Sequence, residues 1–224
     1  MPLVLNTDQH GLIEDVLTKE EQDALTPELV IDMLKEGNER YVAGEVTIRN
    51  HRAQIRNAVL SQFPKAIVLS CVDSRVPVED VFDRGIGDLF VARVAGNFVN
   101  TDILGSMEFA CKVSGSKVIL VLGHEHCGAV KSAVDKVELG NITEMLTKLK
   151  PAVDACAKGY SGEMSSSNQE FVHMVCEHNV MLNIERIREE SPVLKEMEDA
   201  GEIAICGAVY DMNNGQVVFL DNKS

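Results

Sequence analysis

Two short stretches of this chain carry residues that could do chemistry. The first is Ser70-Cys71-Val72-Asp73-Ser74-Arg75, and the second is Gly123-His124-Glu125-His126-Cys127-Gly128. Together they offer two thiolates, one imidazole and a carboxylate beside a guanidinium. Thiolate and imidazole suit zinc, and three protein ligands leave a fourth tetrahedral position for solvent, the pattern of catalytic rather than closed structural sites. Zinc brings the pKa of a bound water toward about 7 in favourable cases. Two thiolates cancel the formal charge of the metal and weaken that effect relative to three imidazoles, so a helper group is useful. Asp73 can accept a hydrogen bond from zinc-bound hydroxide and aim its lone pair, and Arg75 can hold Asp73 ionised through a bidentate pair. Asp73 can instead ligate the zinc as a fourth protein group, which closes the site and expels the nucleophile.

Each motif is weak alone. A lone H-x-x-C is a poor indicator of metal, and C-x-D-S-R reads equally well as a strand end followed by a capping Asp and a surface Arg. Placed at the ends of two strands of one sheet, they reinforce each other, because ligands collect beyond the carboxyl ends of parallel strands where the topology reverses. Cys127 lies three residues after His124 and opens the next helix, where backbone N–H groups favour a thiolate. Structural zinc usually recruits a fourth Cys or His. A thiol redox role finds no C-x-x-C motif. Cys111, Cys156, Cys176 and Cys206 lie in apolar or helical contexts and read as small core residues. His126 reads as a solvated loop residue, and His173 and His178 as helix-face residues.

The elements that must position these groups are legible as apolar runs. Ala66–Leu69, Leu89–Ala92, Val118–Leu122 and Ile203–Cys206 are continuous rather than alternating, so they read as strands buried on both faces of a largely parallel sheet. Val209–Asp211 and Val217–Phe219, joined through Asn213-Asn214-Gly215, read as a hairpin. Thr26-Pro27-Glu28 opens a helix with Leu29, Val30, Met33 and Leu34 on one stripe, ending before Gly44. Further helices are expected over Thr101–Val113, Cys127–Val137, Ile142–Ala155 and Asn168–Glu190, with a Gly- and Ser-rich loop at Lys158–Asn168. Leu12–Leu25 reads as a polar arm, helical in part, that needs another surface.

Composition narrows the function. The 224 residues suffice for a sizeable α/β core. With 45% hydrophobic residues, 4% aromatic and no Trp, that core must be aliphatic. A formal net charge of −14 argues against nucleic acid and against an anionic membrane surface as partners. No run approaches the roughly 20 apolar residues that span a bilayer. Six Cys without secretory spacing point to reduced thiols in the cytoplasm. Met1–Gly11 has neither the basic start nor the apolar run of a signal peptide; a periplasmic location requires that a leader was removed.

From Gly37 to Leu220 the chain resembles the β-class carbonic anhydrases. The resemblance rests on Cys71-Val72-Asp73-Ser74-Arg75-Val76-Pro77, on Gly85 through Asn97, and on Gly123-His124-Glu125-His126-Cys127-Gly128-Ala129. It implies one zinc per chain on Cys71, His124 and Cys127, and Asp73–Arg75 as the orienting or gating dyad, with Asp73 as fourth ligand in a closed state. It implies reversible hydration of carbon dioxide to bicarbonate and a proton, with the Gly128 amide helping to seat bicarbonate. It also implies a homodimer, often paired to a tetramer, with the pocket walled partly by the partner. Residues 1–36 are then a helical arm laid on a neighbouring subunit and 37–224 the catalytic domain. One subclass adds an inhibitory bicarbonate pocket of Trp, Arg and Tyr. Arg93 and Tyr210 match two of the three, but Val68 stands in the Trp position and Ser70 in that of the small Gly, so no such pocket is expected. A same-fold hydrolase of carbon disulfide or carbonyl sulfide, and a non-catalytic zinc-stabilised scaffold, are the competing readings.

Overall fold

The computed structural model describes residues 11–221; the expected arm's residues 1–10, and the signal-peptide reading of them, lie outside the described residues, as do 222–224. Five strands form the central sheet: β1 (Ala66–Ser70), β2 (Leu89–Arg93), β3 (Val118–His124), β4 (Ala204–Tyr210) and β5 (Val217–Phe219). Their order is β2-β1-β3-β4-β5, parallel throughout except for the antiparallel β4–β5 pair. The chain leaves β1 to one side for β2 and later returns to its other side for β3. The carboxyl ends of β1 and β3 therefore border a topological switch point.

The continuous apolar runs of β1, β3 and β4 have the expected cause, since both sheet faces are covered there, whereas the run at the edge strand β2 is only partly buried. Ile67, Leu69, Ile119, Val121 and Ile205 face a core built with Met107, Val180, Ile184 and Leu194. Ala66, Val68, Val118, Leu120 and Leu122 face the other way, onto Val30, Leu34, Val81 and Phe82. The helices in chain order are α1 (Lys19–Asp23), α2 (Pro27–Ala43), α3 (His51–Asn57), α4 (Val78–Val81), α5 (Thr101–Glu108, prolonged by a π-turn over Phe109–Val113), α6 (Gly128–Val134), α7 (Gly140–Leu146), α8 (Lys150–Ala157), α9 (Gln169–Glu190) and α10 (Pro192–Asp199).

Thr26 caps α2 as expected: its hydroxyl accepts from the Leu29 amide at 3.2 Å, Pro27 takes the first turn, and Gly44 ends the helix at φ 72°. The buried stripe is rotated from the expected one. It runs through Val30, Leu34, Gly37 and Asn38, and Leu29 stays 43% exposed. Gly37 sets that rotation, because a Cβ there would lie 2.0 Å from the Phe82 carbonyl oxygen. The segment before α2 is helical only in α1. Fully buried Gln22 ties it to this chain by donating to the carbonyls of Pro64 and Ser114, both at 2.9 Å.

The single helix expected over Ile142–Ala155 is two, α7 and α8, separated at Thr147–Leu149. Pro151 is the reason: it lacks an N–H, and inside a continuous helix its ring would clash with the Thr147 carbonyl. α3, α4 and α10 lie in stretches where no helix was expected.

Asp83, just past α4, binds α2 to the following loop. Its buried carboxylate accepts from Arg40 Nε (2.6 Å), Arg49 Nη1 (2.6 Å), the Thr47 amide (3.0 Å) and the Thr47 hydroxyl (2.6 Å). Burial pushes this carboxyl up, but Thr47, Arg49 and Arg40 outweigh it and hold it at about 2, against an ordinary 3.8. A carboxyl lowered by folding stabilises the protein above its unfolded pKa, and that contribution drains away as the pH falls toward the folded value. Asp83→Asn is therefore expected to cost about 3 kcal/mol at neutral pH, since it leaves two guanidiniums without their counter-charge. It should also remove part of the stability the wild type loses between pH 4 and pH 2. Urea unfolding across that range checks this; an unchanged acid profile in the variant would contradict it.

Candidate metal centre

Cys71 is the first residue after β1, and His124 is the last residue of β3. Cys127 immediately precedes α6. The turn between His124 and Cys127 needs a left-handed residue, and His126 supplies it at φ 54°. That reversal brings Cys127 back beside His124. The Cys71 and Cys127 sulfurs are 3.9 Å apart, and the ligand atoms of Cys71, His124 and Cys127 all lie within 4.8 Å of one another. The three are buried, at 4%, 1% and 1% exposure.

The imidazole orientation follows from hydrogen bonding. His124 Nδ1 lies 2.8 Å from the Glu125 carbonyl oxygen, which can only accept, so Nδ1 carries the proton and Nε2 presents a lone pair. That buried Nε2 has no hydrogen-bond partner. A buried unpaired nitrogen aimed at two sulfurs is costly unless a cation takes the lone pair. The sulfur electrostatics agree. The Cys71 thiol is held well below its ordinary value, first by the hydrogen bond from Cys127, against burial, with further help from the amides of Gly96 and Asp73. Cys127 is pushed up by the same contact and by burial. A divalent metal needs both thiols ionised, and two sulfurs held this close in a buried site release their protons to it on binding. The donor set fits zinc.

Asp73 borders this triangle, with Oδ2 3.9 Å from His124 Nε2. Both carboxylate oxygens are occupied by Arg75: Oδ1 accepts from the Arg75 amide (3.0 Å) and Nε (2.9 Å), and Oδ2 accepts from Nη2 (2.7 Å). The Arg75 side chain holds the Asp73 carboxyl far below the usual carboxylate range. Arg93 fixes the loop that carries the pair by donating to the carbonyls of Cys71 (2.9 Å), Asp73 (2.8 Å) and Val76 (3.0 Å). Arg93, which matches one residue of the inhibitory pocket not expected in this chain, thus spends its guanidinium on three carbonyls of the loop. Val68 and Ser70 are fully buried in β1.

Gly128, the expected bicarbonate contact, is the first residue of α6 and is exposed, with open space where a Cβ would be. His173 lies on α9 between Glu125 (3.5 Å) and Glu177 (3.4 Å), and His126 is half-buried. Cys111 and Cys206 sit in the two sheet cores as expected. Cys176 is likewise a buried core residue, in the apolar cluster around Cys71 and Cys127, whereas Cys156 is only partly buried at its edge.

A thiolate–imidazole–thiolate centre at the switch point of a parallel α/β sheet, beside a fixed carboxylate, defines a class of metal-dependent enzymes. The carbonic anhydrase family profile matches residues 66–217. Carbonic anhydrase 2 of Mycobacterium tuberculosis is 33% identical over 195 residues, 84% of this chain and 90% of that protein. Among solved structures, the β-carbonic anhydrase CafA of Aspergillus fumigatus superposes with a TM-score of 0.69 at 26% identity, covering 78% of this chain and 83% of that one. A tetrameric β-carbonic anhydrase of Sordaria macrospora superposes with a TM-score of 0.64 at 25% identity, covering 71% and 82%. This chain belongs to the β-class carbonic anhydrase family.

Proposed function

We propose that this chain is a carbonate dehydratase that converts carbon dioxide and water reversibly to bicarbonate and a proton, with one zinc per chain held by Cys71, His124 and Cys127. The observation that carries this reading is the unpartnered His124 Nε2 facing two sulfurs, beside a carboxylate locked to a guanidinium. Zinc there supplies the Lewis acidity that makes a water nucleophilic near neutral pH. The chain's own groups do the rest. Asp73 accepts a hydrogen bond from the attacking oxygen and so keeps its lone pair turned toward carbon. Arg75 keeps Asp73 ionised and, by engaging both oxygens, keeps it off the metal; a closed state with Asp73 as fourth ligand requires that pair to break. The Gly128 amide, at a helix N-terminus, seats an oxygen of bicarbonate. The released proton passes to water or buffer.

The assembly we infer is a homodimer or tetramer in which residues 1–36 lie on a neighbouring subunit. Supporting this, the edge strand β2 and α5 border an apolar groove lined by Ile67, Phe90, Ala92 and Phe109, and Val72 next to the ligands is exposed. Leu25, Val30 and Leu34 pack within this chain, so Leu29 is the apolar side chain α2 leaves for a neighbour before residue 37. Sedimentation is expected to find no stable monomer at assay concentration, and a clean monomer boundary would contradict the assembly. The compartment we favour is the cytoplasm, supported by six cysteines without a disulfide; among the described residues no helix is long and apolar enough to cross a membrane.

Stopped-flow carbon dioxide hydration, with elemental analysis of the same sample, tests the reading. It expects about one zinc per chain and hydration far above the buffer rate. Zinc-loaded protein without hydration, or with hydrolysis of carbonyl sulfide in its place, would overturn it.

A further inference from the structure

The turn after β2 lies against the metal centre. The Asn97 amide donates to the Val94 carbonyl at 3.0 Å, and Gly96, third in that turn, has φ +87°. This left-handed geometry is open to glycine at no steric cost. It also aims the Gly96 amide at the Cys71 sulfur, 3.3 Å away. Leu149 closes over the turn, since a Cβ on Gly96 would lie 2.8 Å from Leu149 Cδ1.

On the far side of the same Cα, the Gly96 carbonyl accepts from Asn179 Nδ2 at 2.9 Å. Asn179 sits on α9, 83 residues away, and is 2% exposed. Its orientation is determined. Asn183, one turn further on, directs Nδ2 at the Asn179 side-chain oxygen (3.1 Å) and main-chain oxygen (2.7 Å). Asn183 cannot be flipped, because its own oxygen accepts from the Val99 amide at 2.8 Å. The atom of Asn179 facing Asn183 is therefore oxygen, and the atom facing Gly96 is a donor. A buried ladder Val99–Asn183–Asn179–Gly96 thus ends on a metal-ligand sulfur.

We propose that Asn179 is a positioning residue of the metal centre: by holding the Gly96 carbonyl it holds the Gly96 amide on the Cys71 sulfur, and so sets how strongly that ligand donates to the metal. This rests on the zinc ligation by Cys71 proposed above. An amide hydrogen bond to a thiolate withdraws electron density from the sulfur, and in a buried site it is a strong, charge-assisted contact. A centre with two thiolates is electron-rich for a metal that must acidify water. Drawing charge from one of them restores Lewis acidity, and hydrogen bonds to ligand sulfurs tune iron–sulfur centres through the same effect.

The test compares wild type with Asn179→Ser, Asn179→Ala and, as a control, Ile187→Ala, which cuts a buried side chain further along the same helix, in the core cluster that does not contain Cys71 and Cys127. Each is prepared with zinc for kinetics and with cobalt(II) for absorption. The Asn179 variants are expected to keep one metal per chain and to move the sulfur-to-cobalt charge-transfer band to lower energy. Their hydration rate should fall about tenfold at neutral pH. That deficit should close as the pH rises, the acid limb of the kcat profile having moved up by about one unit, the equivalent of tenfold. Ile187→Ala should lose stability with band and limb in place. Asn179 variants with full metal and an unmoved band and limb would overturn the inference while leaving the zinc reading intact. A wild type without the sulfur-to-cobalt band would overturn both. If the Asn179 variants do not fold, a crystal structure of the zinc-loaded wild type decides: Gly96 N within hydrogen-bond reach of Cys71 Sγ supports the inference, and an amide turned away from the sulfur overturns it.

Discussion

Cys71→Ser, His124→Ala and Cys127→Ser are each expected to purify with little or no zinc and to lose carbon dioxide hydration by more than about 100-fold, beyond the range found for groups that merely support ligands. A serine hydroxyl does not ionise at neutral pH, so it cannot replace a thiolate, and His124→Ala removes the only nitrogen donor of the cluster. The three substitutions should behave alike, because two remaining donors make a poor tetrahedral site. Their effects on folding will differ. His124→Ala leaves the Glu125 carbonyl without its 2.8 Å partner, whereas either serine variant keeps a small polar group in place. Elemental analysis of folded protein separates metal loss from misfolding, and full occupancy in all three variants would refute the ligand assignment.

Asp73→Asn should keep its zinc and lose most of its hydration activity, by about 10²-fold, the order lost when a nucleophile is misoriented. The native carboxylate accepts three hydrogen bonds from Arg75 and remains ionised because of them. An amide of the same shape must put its NH₂ in place of Oδ1 or of Oδ2; donor then faces an Arg75 donor in both cases, and in place of Oδ2 it also turns a donor toward the His124 side, where an acceptor is needed. Neither arrangement does the work of the carboxylate. The separation of the two readouts, metal retained and rate lost, distinguishes this variant from the ligand variants. An unimpaired Asp73→Asn would remove Asp73 from the mechanism.

Much of this was legible in the sequence, for local reasons. The runs at Ala66 and Val118 are unbroken because both faces of the sheet are covered, and the motif residues stand where those runs end. α2 was legible because Thr26, Pro27 and Gly44 each do one recognisable local job. The errors are local as well. Pro151 should have divided the helix expected over Ile142–Ala155. Ser191-Pro192, whose serine caps α10 by accepting from the Leu194 amide at 3.3 Å, is a helix-start signal of the same kind as Thr26-Pro27. What no local pattern encodes is the link from α9 to Cys71. Asn179 and Asn183 stand four apart on the buried face of an otherwise apolar stripe, a spacing that flags them as satisfied core polar groups. Only the tertiary fold reveals that the partner is Gly96.

The most direct measurement is a crystal structure of the zinc-loaded protein, with anomalous scattering recorded on both sides of the zinc absorption edge. The expected map has one zinc peak per chain, bonded to Cys71 Sγ, Cys127 Sγ and His124 Nε2, with a solvent atom in the fourth position while Asp73 stays paired with Arg75. A zinc peak elsewhere, or one whose protein ligands omit any of these three side chains, would contradict the account.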